Sequence, residues 1–367
     1  MRVLVTGSDG FIGKNLITRL NELNIEVVVF TRDNSIDDLI EHVEGSDFIV
    51  HLAGENRPID DKSFHIVNAG LASSICEAIR LSRKATSIIY ASSTQVGLDN
   101  SYGKSKLEAE IIIKKVEDDT KSKSYIYRLP SVFGKWCKPN YNSVVATFCH
   151  NVSHNFPIQV SDPSIELTLI YIDDVINEFV SIIQGKEACD QKPSVQPEYK
   201  IKLGELATQI KKFKESRGSL ISERVSDGLI SKLYSTYVSY LHPNKFSYSI
   251  PSYKDERGVF AEVLKTKDSG QFSFFTAGVG VTRGGHYHHS KTEKFLVAKG
   301  IARFNFRHII TNESYEITVS DKELKIVETV PGWAHEVTNV GREEMVVMLW
   351  SNEIFDPSNP DTFTSKV

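Results

Sequence analysis

The hydrophobic texture of this chain changes near residue 250, and no other feature limits its fold as strongly. Over residues 1–180, short β-branched runs alternate with amphipathic stretches. The runs are RVLVTG, EVVVFTR, DFIVHLAG, SIIYASS and SYIYRLP, with patterns such as NLITRLNELN and KLEAEIIIKKVEDD between them. Continuous apolar runs suit strands buried on both faces, and the intervening periodicity suits the helices that bury them. The expected fold is therefore a doubly wound parallel α/β sheet. From about Pro251 the runs shorten to GVFAEVLK, QFSFFTAGVGV, EKFLVAKG, ARFNFRHII, ESYEITV, LKIVETV and EMVVMLW, separated by Gly, Asn, Asp and Pro. That pattern predicts an all-β sandwich or barrel. Residues 201–241 read as helical and residues 242–254 as a hinge. At 367 residues the chain is too long for one ordinary core. Two domains are expected, 1–245 and 246–367.

Composition narrows the partners. Hydrophobic residues make up 40% and charged residues 25%, which is the make-up of a soluble globular protein. A net charge of −4 gives no attraction to nucleic acid or to a membrane surface. Cys76, Cys137, Cys149 and Cys189 are scattered without a C-x-x-C pair, which argues for a reducing compartment. MRVLVTGSDG turns into a Gly-rich loop after four apolar positions, unlike a signal peptide, and no apolar run approaches the roughly 18 residues of a membrane helix. A cytoplasmic protein is expected.

The first run leads into TGSDGFIG, with Gly7, Gly10 and Gly13 spaced three apart around Phe11 and Ile12. Glycines at that spacing allow a tight turn and a close backbone approach to a pyrophosphate, seated on the N-terminus of the next helix. An acid near the end of the second strand would select NAD. Here that strand is expected to end FTRD, placing Thr31 and Arg32 before Asp33. Cationic Arg32 suits a 2′-phosphate, so NADPH is the expected cofactor.

These residues resemble the extended short-chain dehydrogenase/reductase family, over roughly residues 1–240. TGSDGFIG matches its cofactor loop of the Rossmann fold, and HLAG, with Leu52, Ala53 and Gly54, its strand-end motif beside the adenosine and ribose. VNAG, with Asn68, matches the Asn that supports the active site, and YGKSK supplies the Tyr-x-x-x-Lys pair Tyr102 and Lys106. YRLPSVFG and YIDDV match two further landmarks. The resemblance implies a catalytic hydroxyl in ASSTQVG, where Ser93 is the first candidate and Ser92 and Thr94 remain open. A phenol near pKa 10 is a poor acid–base catalyst at neutral pH. Lys106, four residues on and so on the same helical face, is expected to favour the phenolate and bind the nicotinamide ribose. Sugar dehydratases of the family carry an Asp-Glu pair after the hydroxyl residue. Thr94 and Gln95 stand there, so ketone reduction is expected rather than loss of water.

In the C-terminal region, HYHHSKTEKFLVAKG reads H-x-H-x4-E-x6-G and PGWAHEVTN reads P-G-x2-H-x3-N. Both resemble the paired signatures of the cupin β-barrel. His286 and His288, two apart on a strand, would face the same side. With Glu293 and His335 they make a three-histidine, one-carboxylate set suited to a divalent metal, zinc foremost. His289 would point outward. DERGVFAEVLK and GVTRGGHYH also resemble the metal-free nucleotide-sugar 4-keto 3,5-epimerases, in which the first histidine after the Arg-Gly turn removes a proton beside a ketone. His286 is thus a metal ligand by one resemblance and a catalytic base by the other.

A ketone reductase and a ketone-dependent epimerase share a substrate class. Their combination resembles the bifunctional reductase/epimerases of capsular polysaccharide biosynthesis. That resemblance implies C3 epimerisation of a UDP-2-acetamido-2,6-dideoxy-4-ketohexose in the cupin, with Arg283 or the metal steadying the enolate oxygen. NADPH-dependent C4 reduction would follow, towards UDP-N-acetyl-L-fucosamine. A homodimer is expected because relatives of the reductase domain pair helices from it. The alternative is a nucleotide-sugar 4-reductase or 4-epimerase whose cupin only dimerises or binds sugar.

Overall fold

The computed structural model describes residues 1–56, 64–82, 84–186 and 193–367. The chain divides into two compact units that interleave between residues 210 and 242. One comprises Met1–Ile210 with Ser231–Leu241, the other Lys211–Ile230 with His242–Val367.

The first unit is built on five parallel strands: β1 (Arg2–Thr6), β2 (Glu26–Phe30), β3 (Phe48–His51), β4 (Ser87–Ser93) and β5 (Ser124–Leu129). Their spatial order is β2-β1-β3-β4-β5, so the connections reverse direction between β1 and β3. In open α/β sheets such a reversal leaves a crevice at the carboxyl ends of the strands, where ligands bind. Leu4, Ile49, Ile88 and Tyr90 pack against the helices Ile36–Glu44, Gly70–Ser82 and Ser101–Thr120. Three further strands, β6 (Ser131–Phe133), β7 (Glu166–Tyr171) and β8 (Tyr199–Lys202), form a second, mixed sheet that periodicity did not separate from the first. Cys76, Cys137 and Cys149 are buried and unpaired, and Cys189 lies outside the described residues.

Two local expectations change. The second strand stops at Phe30, and Thr31 to Asn34 form a turn closed by Thr31 N–H donating to Asn34 Oδ1 at 2.8 Å. The 201–241 stretch is not continuous helix. The helix Leu203–Ser219 ends at Leu220, whose φ is +61°, and the two-residue strand β9 (Ile221–Ser222) precedes a separate helix, Gly228–Ser239. A left-handed leucine cannot continue a right-handed helix, and pairing of β9 with β11 (Gly258–Thr266) takes over its backbone groups.

In the second unit the remaining strands are β10 (Ser252–Asp255), β12 (Gly270–Ala277), β13 (Thr282–Tyr287), β14 (Glu293–Lys299), β15 (Ile301–His308), β16 (Ser314–Ser320), β17 (Ile326–Glu328), β18 (Trp333–Asn339), β19 (Met345–Ser351) and β20 (Phe363–Thr364). One sheet runs β10-β11-β12-β19-β14-β17, and the other runs β16-β15-β18-β13-β20. Phe275, Phe295, Val297 and Val347 from the first sheet meet Phe304, Phe306, Val319 and Val337 from the second in one core. This is the cupin barrel following a Rossmann domain. All seven apolar runs noted after Pro251 are strands. β13 and β18, which carry the histidines, lack such runs because half their positions are polar.

Candidate functional site

A cleft of about 630 Å³ opens at the carboxyl ends of β1, β3 and β4, lined by Gly10, Phe11, Ile12, Leu52, Gly54, Ser93, Tyr102 and Lys106. Its floor is the glycine loop. A Cβ at Gly13 would stand 2.2 Å from the Gly7 carbonyl oxygen, and one at Gly7 would stand 2.6 Å from the Ala53 nitrogen. Side chains there would push the loop off the helix Phe11–Glu22 and off the segment after β3, so Gly7 and Gly13 shape the cleft from behind. The Ala53 N–H donates to Thr6 Oγ1 at 3.2 Å, which ties that segment to β1. The open loop, the helix start and the volume fit a dinucleotide pyrophosphate. Thr31 and Arg32 stand outside the cleft lining. Arg32, whose side chain is 88% exposed, reaches Glu55 at 3.3 Å.

Asn68 lies in a π-helical turn, His65–Ala69, and is buried. Its Oδ1 accepts from the Glu55 N–H at 2.8 Å, and its Nδ2 donates to Ser105 Oγ at 2.9 Å. It thus clamps the segment after β3 to the helix that carries Tyr102 and Lys106, the supporting role its motif implied.

The three candidate hydroxyls, Ser92, Ser93 and Thr94, all border the cleft. Adjacent strand residues point to opposite faces. Ser92 turns inward and donates to Glu110 Oε1 at 2.5 Å, where Arg128 also binds the carboxylate through Nη2 at 2.6 Å. Ser93 lines the cleft with Tyr102, and its hydroxyl accepts from the Gln95 N–H at 3.2 Å. Burial pushes the Tyr102 pKa upward, and the nearby Ser93 hydroxyl offsets only part of that rise. Lys106 lines the cleft on the same helix as Tyr102. Its Nζ donates to the Ala91 carbonyl at 2.8 Å and lies 4.5 Å from the centre of the Tyr90 ring. Burial lowers its pKa to about 8, opposed by Glu110, so it remains cationic at neutral pH. Tyr102 is therefore held as a neutral phenol, the form that can give a proton to a ketone oxygen.

The barrel holds the second constellation beside a cavity of about 360 Å³. His286 on β13 pairs across the ladder with His335 on β18, and Glu293 opens β14 from the facing sheet. His288 lies one residue past the end of β13, in the turn rather than on the strand. It still joins the cluster, in which one donor atom from each of the four residues lies within 4.8 Å of the others. Gly284 and Gly285, with φ of +99° and +78°, carry a bulge that shifts the register just before His286. A Cβ on Gly284 would stand 2.8 Å from the His335 carbonyl oxygen. His289 is exposed, as expected.

Glu293 Oε2 stands 3.3 Å from His288 Nε2 and 3.4 Å from His335 Nε2. Those separations are long for hydrogen bonds. They match the roughly 3.3–3.4 Å between ligands held about 2.0–2.1 Å from a tetrahedral zinc. His288 also donates its Nδ1 proton to the Asp361 carbonyl, which leaves its Nε2 facing the Glu293 carboxylate. A cation between them satisfies both. Burial alone would raise the Glu293 pKa, but His288, His335 and Lys291 overcome it and hold the group well below its usual value. His288, Glu293 and His335 are 1%, 5% and 4% exposed, whereas His286 is more open and lines the cavity. Burial and the neighbouring His335 lower the His286 pKa to about 4, so its ring is neutral at pH 7. The donor set fits a divalent metal, with His286 its most accessible member.

The sequence profile described as "NAD dependent epimerase/dehydratase family" matches residues 3–196, more than half of the chain. The chain belongs to the NAD dependent epimerase/dehydratase family. This member is an enzyme and uses a nicotinamide cofactor. Residues 253–363 match a second profile, "Polysaccharide biosynthesis C-terminal domain". Over 368 aligned residues, covering 100% of this chain and 99% of the relative, it is 54% identical to a UDP-2-acetamido-2,6-beta-L-arabino-hexul-4-ose reductase of Pseudomonas aeruginosa. The crystal structure of the capsular polysaccharide assembling protein CapF from Staphylococcus aureus superposes with a TM-score of 0.94 at 40% identity, covering 100% of both chains. A UDP-glucuronic acid 4-epimerase from Bacillus cereus shares the fold over 65% of this chain and 99% of its own, with a TM-score of 0.55 at 17% identity.

Several site residues of this family member carry no sequence signal of their own. Glu110, which decides between Ser92 and Ser93, looks like one more charge on an amphipathic helix. Lys291 lies 3.2 Å from Glu293 Oε1, on the side away from the imidazoles, within a loop that reads only as polar. Trp136, Lys138, Tyr141 and Asn142 line the cleft, in the segment GKWCKPNYNSVVATFC. Among the described residues, no helix is long and apolar enough to cross a membrane.

Proposed function

We propose that the chain is a bifunctional UDP-sugar enzyme that epimerises C3 of a UDP-2-acetamido-2,6-dideoxy-4-ketohexose in the cupin barrel and then reduces the C4 ketone in the Rossmann domain with NADPH. The product leads towards UDP-N-acetyl-L-fucosamine for capsule synthesis. The carrying observation is the co-occurrence of a neutral Tyr102 sharing one cleft with Ser93 and a neutral His286 beside a metal-type donor set. The names of the Pseudomonas aeruginosa reductase and the capsular assembling protein support the substrate class.

The order follows from chemistry. A C3 hydrogen is acidic only while C4 is a ketone, because its loss gives an enolate; reduction removes that activation. In the barrel, His286 takes the C3 proton, while His288, Glu293 and His335 hold the cation, with zinc the metal expected. When bound, the cation supplies positive charge for an oxygen that becomes anionic. Arg283, which lines the same cavity, adds a second fixed positive charge. In the cleft, Gly7 to Gly13 and Leu52 to Gly54 hold the dinucleotide, and Lys106 its nicotinamide ribose. NADPH, when bound, supplies the hydride. Ser93 orients the ketone oxygen, and Tyr102 protonates it.

Preference for the phosphorylated cofactor rests on Arg32, whose only charge partner at the strand end is Glu55 among the ion pairs of the described residues. Arg32→Ala is expected to raise the KM for NADPH about tenfold, the scale of one exposed charge-assisted contact, while leaving the KM for NADH unchanged. Steady-state kinetics with both cofactors check this, and equal losses for the two would remove the 2′-phosphate assignment.

A further inference from the structure

The end of the chain is tied to the histidine–carboxylate cluster. Asp361 is 73 residues from His288, yet its main-chain carbonyl accepts the His288 Nδ1 proton. Its carboxylate accepts from three consecutive backbone N–H groups, those of His289 at 2.9 Å, Ser290 at 2.7 Å and Lys291 at 2.8 Å. The Ser290 hydroxyl adds a fourth bond at 2.9 Å. Just beyond, Phe363 and Thr364 pair with Tyr287 and His286 on β13. The Phe363 ring stacks on Tyr287 at 5.4 Å and meets His289 edge-on at 4.7 Å, and the Ser365 N–H donates to the Gly285 carbonyl at 2.9 Å.

Successive N–H groups that converge in a turn form a concave anion-binding nest. In this protein the nest is filled by an internal carboxylate. The loop it gathers, residues 289–291, joins one buried donor, His288, to another, Glu293. It also presents the Lys291 ammonium to Glu293 Oε1, so that Oε2 is the oxygen left facing the imidazoles. Bonding of His288 Nδ1 to the Asp361 carbonyl fixes the tautomer in which Nε2 is the free donor.

We propose that Asp361 is a positioning residue: a C-terminal strap that holds loop 289–291 and the His288 ring, and so presets the affinity of the cluster for a divalent cation. The affinity part rests on the metal reading above, whereas the hold on the loop does not. Partners of this outer kind typically change metal affinity by about 10–100-fold.

The test uses full-length Asp361→Ala and Asp361→Asn, with Asp356→Ala as the control, since Asp356 accepts from Ser358 on the same tail. Zinc affinity is measured by competition with a chromogenic chelator, and amide hydrogen exchange is measured on the metal-free proteins. Asp361→Ala is expected to bind zinc about 10–100-fold more weakly and to lose exchange protection at residues 289–291. Asp361→Asn is expected to fall between it and wild type, and Asp356→Ala to match wild type. Unchanged exchange in Asp361→Ala overturns the strap, and lost protection with unchanged zinc affinity overturns its effect on the site. Failure of the wild-type protein to bind zinc would sink the metal reading, and the exchange comparison would still decide the strap. Should Asp361→Ala not fold, Asp361→Asn carries both comparisons.

Discussion

Tyr102→Phe protein is expected to lose NADPH oxidation by about 10²–10⁴-fold, the usual worth of a positioned general acid, while still exchanging the C3 hydrogen of a UDP-4-ketosugar with solvent. The phenol lies beside Ser93 in the cleft lining, and burial keeps it protonated. Lys106 donates one of its three N–H groups to the Ala91 carbonyl and keeps the others for the cofactor's ribose in the proposed mechanism. Loss of one oxygen leaves the ring's packing in place, so the variant separates proton donation from folding. The exchange is expected to be retained because its proposed base, His286, belongs to the barrel. If the same variant also stopped the exchange, the division of labour between the two regions would be wrong.

His335→Ala should give the converse result. His335 is 4% exposed, its Nε2 lies 3.4 Å from Glu293 Oε2, and it pairs with His286 across β13 and β18. Removing it deletes a direct donor, so zinc affinity is expected to fall by more than the roughly 100-fold upper range for outer partners. C3 exchange is expected to slow in parallel, because the charge that favours enolate formation is lost. Reduction of a 4-ketosugar already in the final C3 configuration should continue at the wild-type rate. Metal content by mass spectrometry and exchange followed by NMR read the two effects separately. A His335→Ala protein that exchanges C3 hydrogen normally would favour the alternative, a barrel that only dimerises or binds sugar.

Much of this was legible in the sequence because the responsible physics is local. The glycine spacing, the four-residue step from Tyr102 to Lys106, and the His286, His288 and Glu293 pattern each express one turn, one helix face or one hairpin. Period-two reasoning selected His288 although it stands beyond the strand, since a single residue past β13 keeps its direction. What could not be read depended on partners far along the chain. Ser92 and Ser93 are equivalent until Glu110 and Arg128 claim the first. The direction of Lys106 depends on a main-chain carbonyl, which no side-chain pattern encodes. Asp361 acts through backbone N–H groups, so nothing in residues 289–291 announces it. The break at Leu220 was hidden because leucine is a good helix former, and the strand pairing of β9 overrides that preference.

The central claim is that epimerisation precedes reduction and occurs in a different site. Proton NMR of the wild-type protein in deuterated water tests it most directly, with a UDP-2-acetamido-2,6-dideoxy-4-ketohexose supplied first without NADPH and then with it. The expected result is deuterium at C3 before any cofactor is added, followed on addition of NADPH by a C4 alcohol that retains the deuterium. A C4 alcohol that forms with hydrogen still at C3, or a C3 position that exchanges only after NADPH is supplied, would contradict it.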